Sequence, residues 1–338
     1  MPDLALALAI VAALAFGLTN GFHDAANTIA TIVATRVARP LPAVLMASAF
    51  NLLGPIVIGA AVADTIAKIV RVPPEEAVAV IGAGLTGAIA WNLFTWARGI
   101  PSSSSHALVG GLMGAALLAS GPDSVNWGPI SEGHLGGVLG VLVGMAVATG
   151  AGLLLAWGIE AVALQAALRA RAGVTPAIRA ASWATAAWLA FSHGSNDASK
   201  VIGIIAALLV ASGGLASVGQ VDVVVILAAS VSLTVGTAFG GWSIVHTIGR
   251  RIFPLRSLDG LVSQATSASV ILAASVVGAP VSTTQVVSSS VVGVGLGRGR
   301  RRHIGWPIVR EIAVAWVTTM PAAALIGAIA LIGWRLLP

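Results

Sequence analysis

Ten apolar stretches occupy almost the whole chain, at about 4–35, 40–62, 77–97, 104–119, 135–167, 180–211, 223–249, 258–279, 282–297 and 306–334. Most come near or exceed the roughly 20 residues that cross a bilayer as a helix. Such a chain cannot present a polar surface to water. Only 9% of its 338 residues are charged and 57% are hydrophobic, whereas ordinary globular domains carry about 25% charge. The bilayer is therefore the solvent, and no sizeable soluble domain fits between the stretches. The expected fold is an all-α polytopic membrane protein with about 10–12 membrane segments. The first stretch opens Met1-Pro2-Asp3 without a basic leader and runs straight into polar residues, so it reads as a retained span. Cysteine is absent, which excludes disulfides and thiolate metal sites.

The formal charge of +6 does not point to nucleic acid, because the basic residues fall in short clusters between apolar stretches. These are Arg36 and Arg39; Arg169, Arg171 and Arg179; Arg250, Arg251 and Arg256; and Arg298, Arg300, Arg301 and Arg302. The connections at 120–134 and 212–222 contain no Lys or Arg, and 64–76 is mixed. Alternate connections are thus basic. With ten crossings, the positive-inside rule places the four clusters in the cytoplasm of a cell membrane and both termini outside.

The sequence also repeats. "NGFHDAANT" (20–28) and "HGSNDASK" (193–200) align on Asp24 and Asp197. Pro101 follows Asp24 by 77 residues and opens "PSSSSHALVG"; Pro280 follows Asp197 by 83 and opens "PVSTTQVVSS". The first repeat covers 1–168, a basic linker 169–179, and the second repeat 180–338. The charge pattern gives the halves opposite orientations. Inverted repeats belong to secondary transporters, whose sites lie near the midplane where the halves meet.

Each Pro-Ser/Thr segment reads as the start of a half-helix inside the membrane, with proline in its first turn and hydroxyls capping free N–H groups. A helix N-terminus is an anion site, and Ser103, Ser104, Ser105, Ser282, Thr283 and Thr284 add donors around it. Ser and Thr otherwise cap and pack membrane helices; two such knots in register with two acid motifs favour a binding site. Asp24 and Asp197 need a reason to be there, since a charge at a helix centre costs about 2.5–3.5 kcal/mol on the lenient scale. Asn20, Asn27 and Asn196, with carbonyls of a broken helix, would complete a cation or proton site. His23 and His193 flank the acids and His106 follows the first knot, without marking which of them titrates. Asn51 and Asn92 are further polar residues inside spans, and Lys200 either pairs with Asp197 or snorkels.

"NGFHDAANTIATIVATR", "AFNLLG", "WNLFTWARGIPSSSSHALVG", "FSHGSNDASKVIG" and "APVSTTQVVSSSVVG" together closely resemble the inorganic phosphate transporter (PiT) family. The resemblance covers nearly the whole chain and implies an inverted-repeat, often dimeric symporter of inorganic phosphate with two re-entrant hairpins. Carried over by position, Asp24, Asn27, Asn196 and Asp197 would serve ion coupling, and the six knot residues would hold phosphate. His23 stands where sodium-coupled members tend to have Asn. That resembles the bacterial low-affinity branch, which moves phosphate with protons and often as a neutral metal–phosphate complex. Gln285 stands where that branch commonly has His. The resemblance implies no cofactor and no permanently bound metal. Three alternatives remain: a sulfate or other oxyanion permease, or sodium-coupled phosphate symport, on the same scaffold; an intramembrane Ser/His hydrolase built on Ser105 and His106; and a non-transporting scaffold. A hydrolase needs one asymmetric nucleophile–base pair, which a duplicated motif with Gln285 in the histidine's place does not provide. A scaffold has no use for two intramembrane acids.

Overall fold

A computed structural model describes residues 2–59, 61–128, 130–131, 134–169 and 174–337. The linker segment 170–173, with Arg171, lies outside the described residues. Every apolar stretch contains a helix. The first half is α1 (Pro2–Ala34), α2 (Pro40–Ile58), α3 (Ala61–Ala67), α4 (Pro74–Ala97), α5 (Ser104–Ser120) and α6 (Gly137–Arg169). The second is α7 (Val174–Ala211), α8 (Val223–Phe239), α9 (Trp242–His246) with a π-helical turn to Arg251, α10 (Ser257–Val276), α11 (Thr283–Gly297) and α12 (Trp306–Trp334). The stretches at 40–62 and 223–249 are each broken by a glycine with positive φ, Gly59 at 78° and Gly240 at 69°, a conformation glycine adopts without a Cβ penalty. At the second break the chain bends by 63°.

Six helices are long and apolar enough to span alone, and a seventh span forms if α8 and α9 count as one. At 17 and 15 residues, α5 and α11 are short for a span. Each folds back on its predecessor, so α4–α5 and α10–α11 are re-entrant hairpins, and the tip residues Ser102–Ser105 and Ser282–Thr284 are buried.

Backbone contacts sort the connections onto two faces. On one, Arg71 N–H donates to Ser124 O at 2.6 Å and Asn126 N–H to Ile69 O at 2.9 Å, while Arg335 pairs with Glu76 at 3.0 Å and a cavity is lined by Ala5, Glu75, Ser212 and Trp334. The described ends of the chain therefore share a face with the connections at 64–76, 120–134 and 212–222. On the other, Arg179 donates to Arg36 O at 3.3 Å and Gly305 N–H to Ile252 O at 2.8 Å. Hairpin α4–α5 enters from the first face and α10–α11 from the second. At the tip of the first, Gly99 O accepts from Thr247 Oγ1 at 3.1 Å; at the tip of the second, Gly278 O accepts from Thr65 Oγ1 at 2.8 Å.

Packing between the halves is reciprocal. α1 packs on α8 as α7 packs on α2, and α5 on α12 as α11 on α6. Glycine three residues before each acid makes this possible. A Cβ at Gly21 would lie 2.1 Å from Leu233 O of α8, and one at Gly194 would lie 2.2 Å from Asn51 O of α2. At the base of the second hairpin, Arg298 pairs with Asp259 of α10 and, at 3.5 Å, with Glu160 of α6. Both carboxylates are fully buried. A buried pair that loses one partner leaves an uncompensated charge.

Two outcomes are expected. Single cysteines at Asp123 and Ser212 should react with an impermeant thiol reagent from the same side of sealed vesicles, and one at Arg300 from the opposite side; labelling of all three from one side would refute the two-face arrangement. Arg298→Ala should destabilise the protein by on the order of 3 kcal/mol, read as an earlier unfolding midpoint in detergent, and a midpoint equal to the wild type would show the buried pair to be without consequence.

Candidate functional site

The two acid motifs do not sit at helix breaks, as the sequence led us to expect. Asp24 lies inside continuous α1 and Asp197 inside continuous α7. The breaks fall instead at the hairpin tips, which bring hydroxyls to Asp24. The prolines also differ from expectation. Pro101 and Pro280 precede the helices, and the N-caps are Ser103 and Ser282, whose hydroxyls accept from the N–H of His106 at 3.1 Å and Gln285 at 3.3 Å. A cap needs extended backbone, and both caps have it, with φ/ψ of −106°/107° and −91°/105°. The N–H groups of Ser104, Ser105, Thr283 and Thr284 have no carbonyl of their own helix to bond.

Asp24 ties the two hairpins together. Its Oδ2 accepts from Ser104 Oγ of the first at 2.9 Å, and its Oδ1 from Thr284 Oγ1 of the second at 3.0 Å; Thr283 Oγ1 lies 3.5 Å from Oδ2. His23 Nδ1 lies 2.6 Å from Oδ1. An ionised carboxylate only accepts, so Nδ1 carries the proton of that bond. His23 Nε2 lies 3.2 Å from both Thr95 Oγ1 and Ser102 Oγ. Asn27 donates to Thr284 at 2.8 Å and Thr283 at 3.3 Å.

Asp197 is the counterpart in the second half. Oδ1 accepts from Lys200 Nζ at 2.6 Å, and Oδ2 from Asn20 Nδ2 at 3.1 Å. His193 Nε2 lies 3.2 Å from Oδ2 without hydrogen-bond alignment, and its Nδ1 is 3.0 Å from Asn51 Oδ1. One ligand atom each from Asp24, His193 and Asp197 come within 4.8 Å of one another. All these side chains are buried.

Several expected residues stand elsewhere. Asn196 spends its amide on the second hairpin, donating to Ser275 Oγ at 3.0 Å and accepting from Val281 N–H at 3.4 Å. Asn51 orients His193 and donates to Thr237 at 2.9 Å. His106 and Gln285 lie 3.4 Å apart and line a cavity of about 630 Å³ with Thr149, Trp316 and Met320. Asn92 is buried with both amide atoms unpartnered. Lys200 is fully buried, so it pairs rather than snorkels. Thr95, Ser102 and the Val281 carbonyl belong to the network although the sequence did not single them out. Ser102 lay inside the quoted knot, but spacing alone cannot tell which serine turns towards a histidine on another helix.

The arrangement suits an oxyanion. The positive ends of α5 and α11 converge, with Ser105 Oγ donating to Val281 O across the gap at 2.9 Å. Half-helix N-termini near the midplane are a known means of holding anionic groups.

The profile described as "Phosphate transporter family" matches residues 20–177 and 160–327. The chain is 41% identical over 321 residues to a protein of Rhizobium meliloti (strain 1021) named "Probable low-affinity inorganic phosphate transporter", covering 95% of this chain and 93% of that one. A Bacillus subtilis (strain 168) protein of the same name is 36% identical, covering 96% and 95%. The fold is similar to that of a solved structure titled "The sodium-dependent phosphate transporter", with a TM-score of 0.86, 24% identity, and coverage of 99% of this chain and 100% of that one.

Ser104→Ala or Thr284→Ala should each weaken phosphate binding about tenfold, since losing a hydrogen bond to a charged partner costs about 1.5–3 kcal/mol. Calorimetric titration with phosphate checks this, and unchanged affinity in both variants would remove the knots from the site.

Proposed function

We propose, from the premise that the chain belongs to the phosphate transporter family, that it is a symporter importing inorganic phosphate driven by protons. It is a multi-pass membrane transporter and not an enzyme. Phosphate lies between the N-termini of α5 and α11, and Asp24 with His23 carries the coupled proton.

The observation that carries this reading is the sharing of the Asp24 carboxylate between the two hairpins. While Asp24 is ionised, it accepts hydrogen bonds from the hydroxyls of Ser104 and Thr284 and sets a negative charge beside the anion's place. A proton entering the His23–Asp24 pair removes that charge. It also weakens the carboxyl as an acceptor, so both hydroxyls turn their donors to phosphate. Proton and phosphate thus favour each other's binding, which is the thermodynamic requirement for coupling. The family resemblance also supports a metal–phosphate complex as a form of the cargo. The positive-inside rule places the basic face in the cytoplasm and the termini outside, in two inversely oriented repeats, 1–168 and 180–338. The family resemblance supports a homodimer.

In proteoliposomes, phosphate accumulation should follow an inward proton gradient and persist without sodium. Asp24→Asn, which cannot cycle a proton, should abolish gradient-driven accumulation. Strict sodium dependence with indifference to the proton gradient would overturn the reading, and uptake of sulfate in preference to phosphate would move the protein to another oxyanion.

A further inference from the structure

We infer that the ammonium of Lys200 is a built-in cation that fills the second of two pseudo-symmetric cation places, so that only the first, at Asp24, is open to a transported ion. The inference rests on the symport reading above and deepens it by assigning which residue restricts the coupling ion.

The two halves place equivalent residues in equivalent contacts. The residue before each acid clamps the hairpin of its own half: His23 contacts Thr95 and Ser102, and Asn196 contacts Ser275 and Val281. The third residue after each acid reaches the other hairpin's knot: Asn27 donates to Thr283 and Thr284, and Lys200 to Ser105. Asn27 and Lys200 therefore occupy the same position in the two repeats, one neutral and one charged.

The oxygens around Lys200 Nζ, a carboxylate, a hydroxyl and a main-chain carbonyl, are of the kind that ligate a hard cation. A carboxylate oxygen of Asp197 lies at 2.6 Å, the hydroxyl of Ser105 at 2.6 Å and the main-chain carbonyl of Val281 at 3.1 Å. A lysine ammonium has three donors, and these oxygens take all three. The geometry leaves none for phosphate, so Lys200 acts as a resident charge and not as an anion ligand. It also spans the gap between the hairpins, since Ser105 belongs to one and Val281 to the other.

The first half differs in the way an open place requires. Asn27 donates its amide hydrogens to the knot, yet its Oδ1 has no partner although it is buried. Asn20 Oδ1, on the same helix, is also buried and unpartnered. Both oxygens lie on the helix that carries Asp24, and Asn20 also reaches Asp197 through its Nδ2. Coupling by one ion per cycle at Asp24, with Asp197 permanently neutralised, follows from this asymmetry.

The test is Lys200→Asn, which gives the second half the residue of the first. The purified full-length variant is compared with the wild type in sodium chloride and in choline chloride, by melting temperature in detergent and by phosphate uptake in proteoliposomes. Sodium should raise the melting temperature of the variant and stimulate its uptake about tenfold or more, while leaving the wild type unmoved. A variant whose stability and uptake ignore sodium, whether it transports or has lost phosphate binding, overturns the inference. If the single variant cannot be purified, the exchange variant Asn27→Lys with Lys200→Asn keeps one ammonium per chain. Its open place is the second one, so sodium should stabilise it as it does the single variant, and indifference to sodium in it would be equally fatal. A wild type that itself requires sodium would defeat the proton reading, whereas a proton-driven wild type with a sodium-blind Lys200→Asn defeats this inference alone.

Discussion

Two helix N-termini meeting inside a membrane repel each other unless negative charge lies between them. Each helix carries roughly half a positive charge at that end, and the hydrocarbon around the protein screens it little. In this protein α5 and α11 converge from opposite faces, and Asp24 bonds to the first turn of both. The carboxylate and the convergence explain one another. The acid is tolerated at the bilayer's depth because it faces two positive helix ends and three hydroxyls, and the helix ends can approach because the acid is there. On the proposal made above, an oxyanion binds in the same field, on terms set by the charge of Asp24.

The rest of the architecture serves that meeting. Neither half completes its network alone, because Asp24 needs hydroxyls from the second hairpin and Asp197 needs Asn20 from the first half. The packing of the halves is accordingly reciprocal, and it is close. Gly21 and Gly194 let helix backbones touch where any side chain would hold them apart. Without a hydrophobic driving force between helices in lipid, such contacts and the buried hydrogen bonds carry association. The acid motif and its glycine are one device, the glycine setting the helix distance at which the acid reaches its partners.

The sequence disclosed the large elements because their causes are local. Apolar length marks a helix in lipid, and all ten stretches contain one. The duplication of Asp24 and Asp197 and of the two knots was visible by spacing, and the basic clusters sorted the faces. The sequence was least informative about side-chain partners. It grouped Asn196 with the ion site, yet its amide closes the second hairpin's turn. It noted His106 and Gln285 beside the knots, yet a residue one position further into a helix turns about 100° away, and both line the cavity against Trp316. It expected broken helices at the acids, because an intramembrane carboxylate needs nearby polar groups; at Asp24 these come instead as hydroxyls from hairpins distant in sequence. Partners separated by 80 to 260 residues, such as Ser104 and Thr284 on Asp24, follow only from the packing.

A duplicated scaffold makes the departures from symmetry informative. Where both repeats carry the same kind of residue, as at Asp24 and Asp197 or Ser104 and Thr283, the pair builds a common frame. Where they differ, the frame is held constant and the chemistry changes. His23 faces Asn196 in this sense: both clamp their own hairpin, but only the histidine adds a titratable group bonded to its acid. Asn27 faces Lys200: both grip the opposite knot, but only the lysine brings a charge. The first acid is thus bonded to a histidine, while the second is paired with a lysine. Two equivalent acids in equivalent surroundings would have to load and release together. On the proposal made above, two acids made unequal by their neighbours divide the work: Asp24 answers to the ion that moves, while Asp197 stays paired with Lys200 between the hairpins.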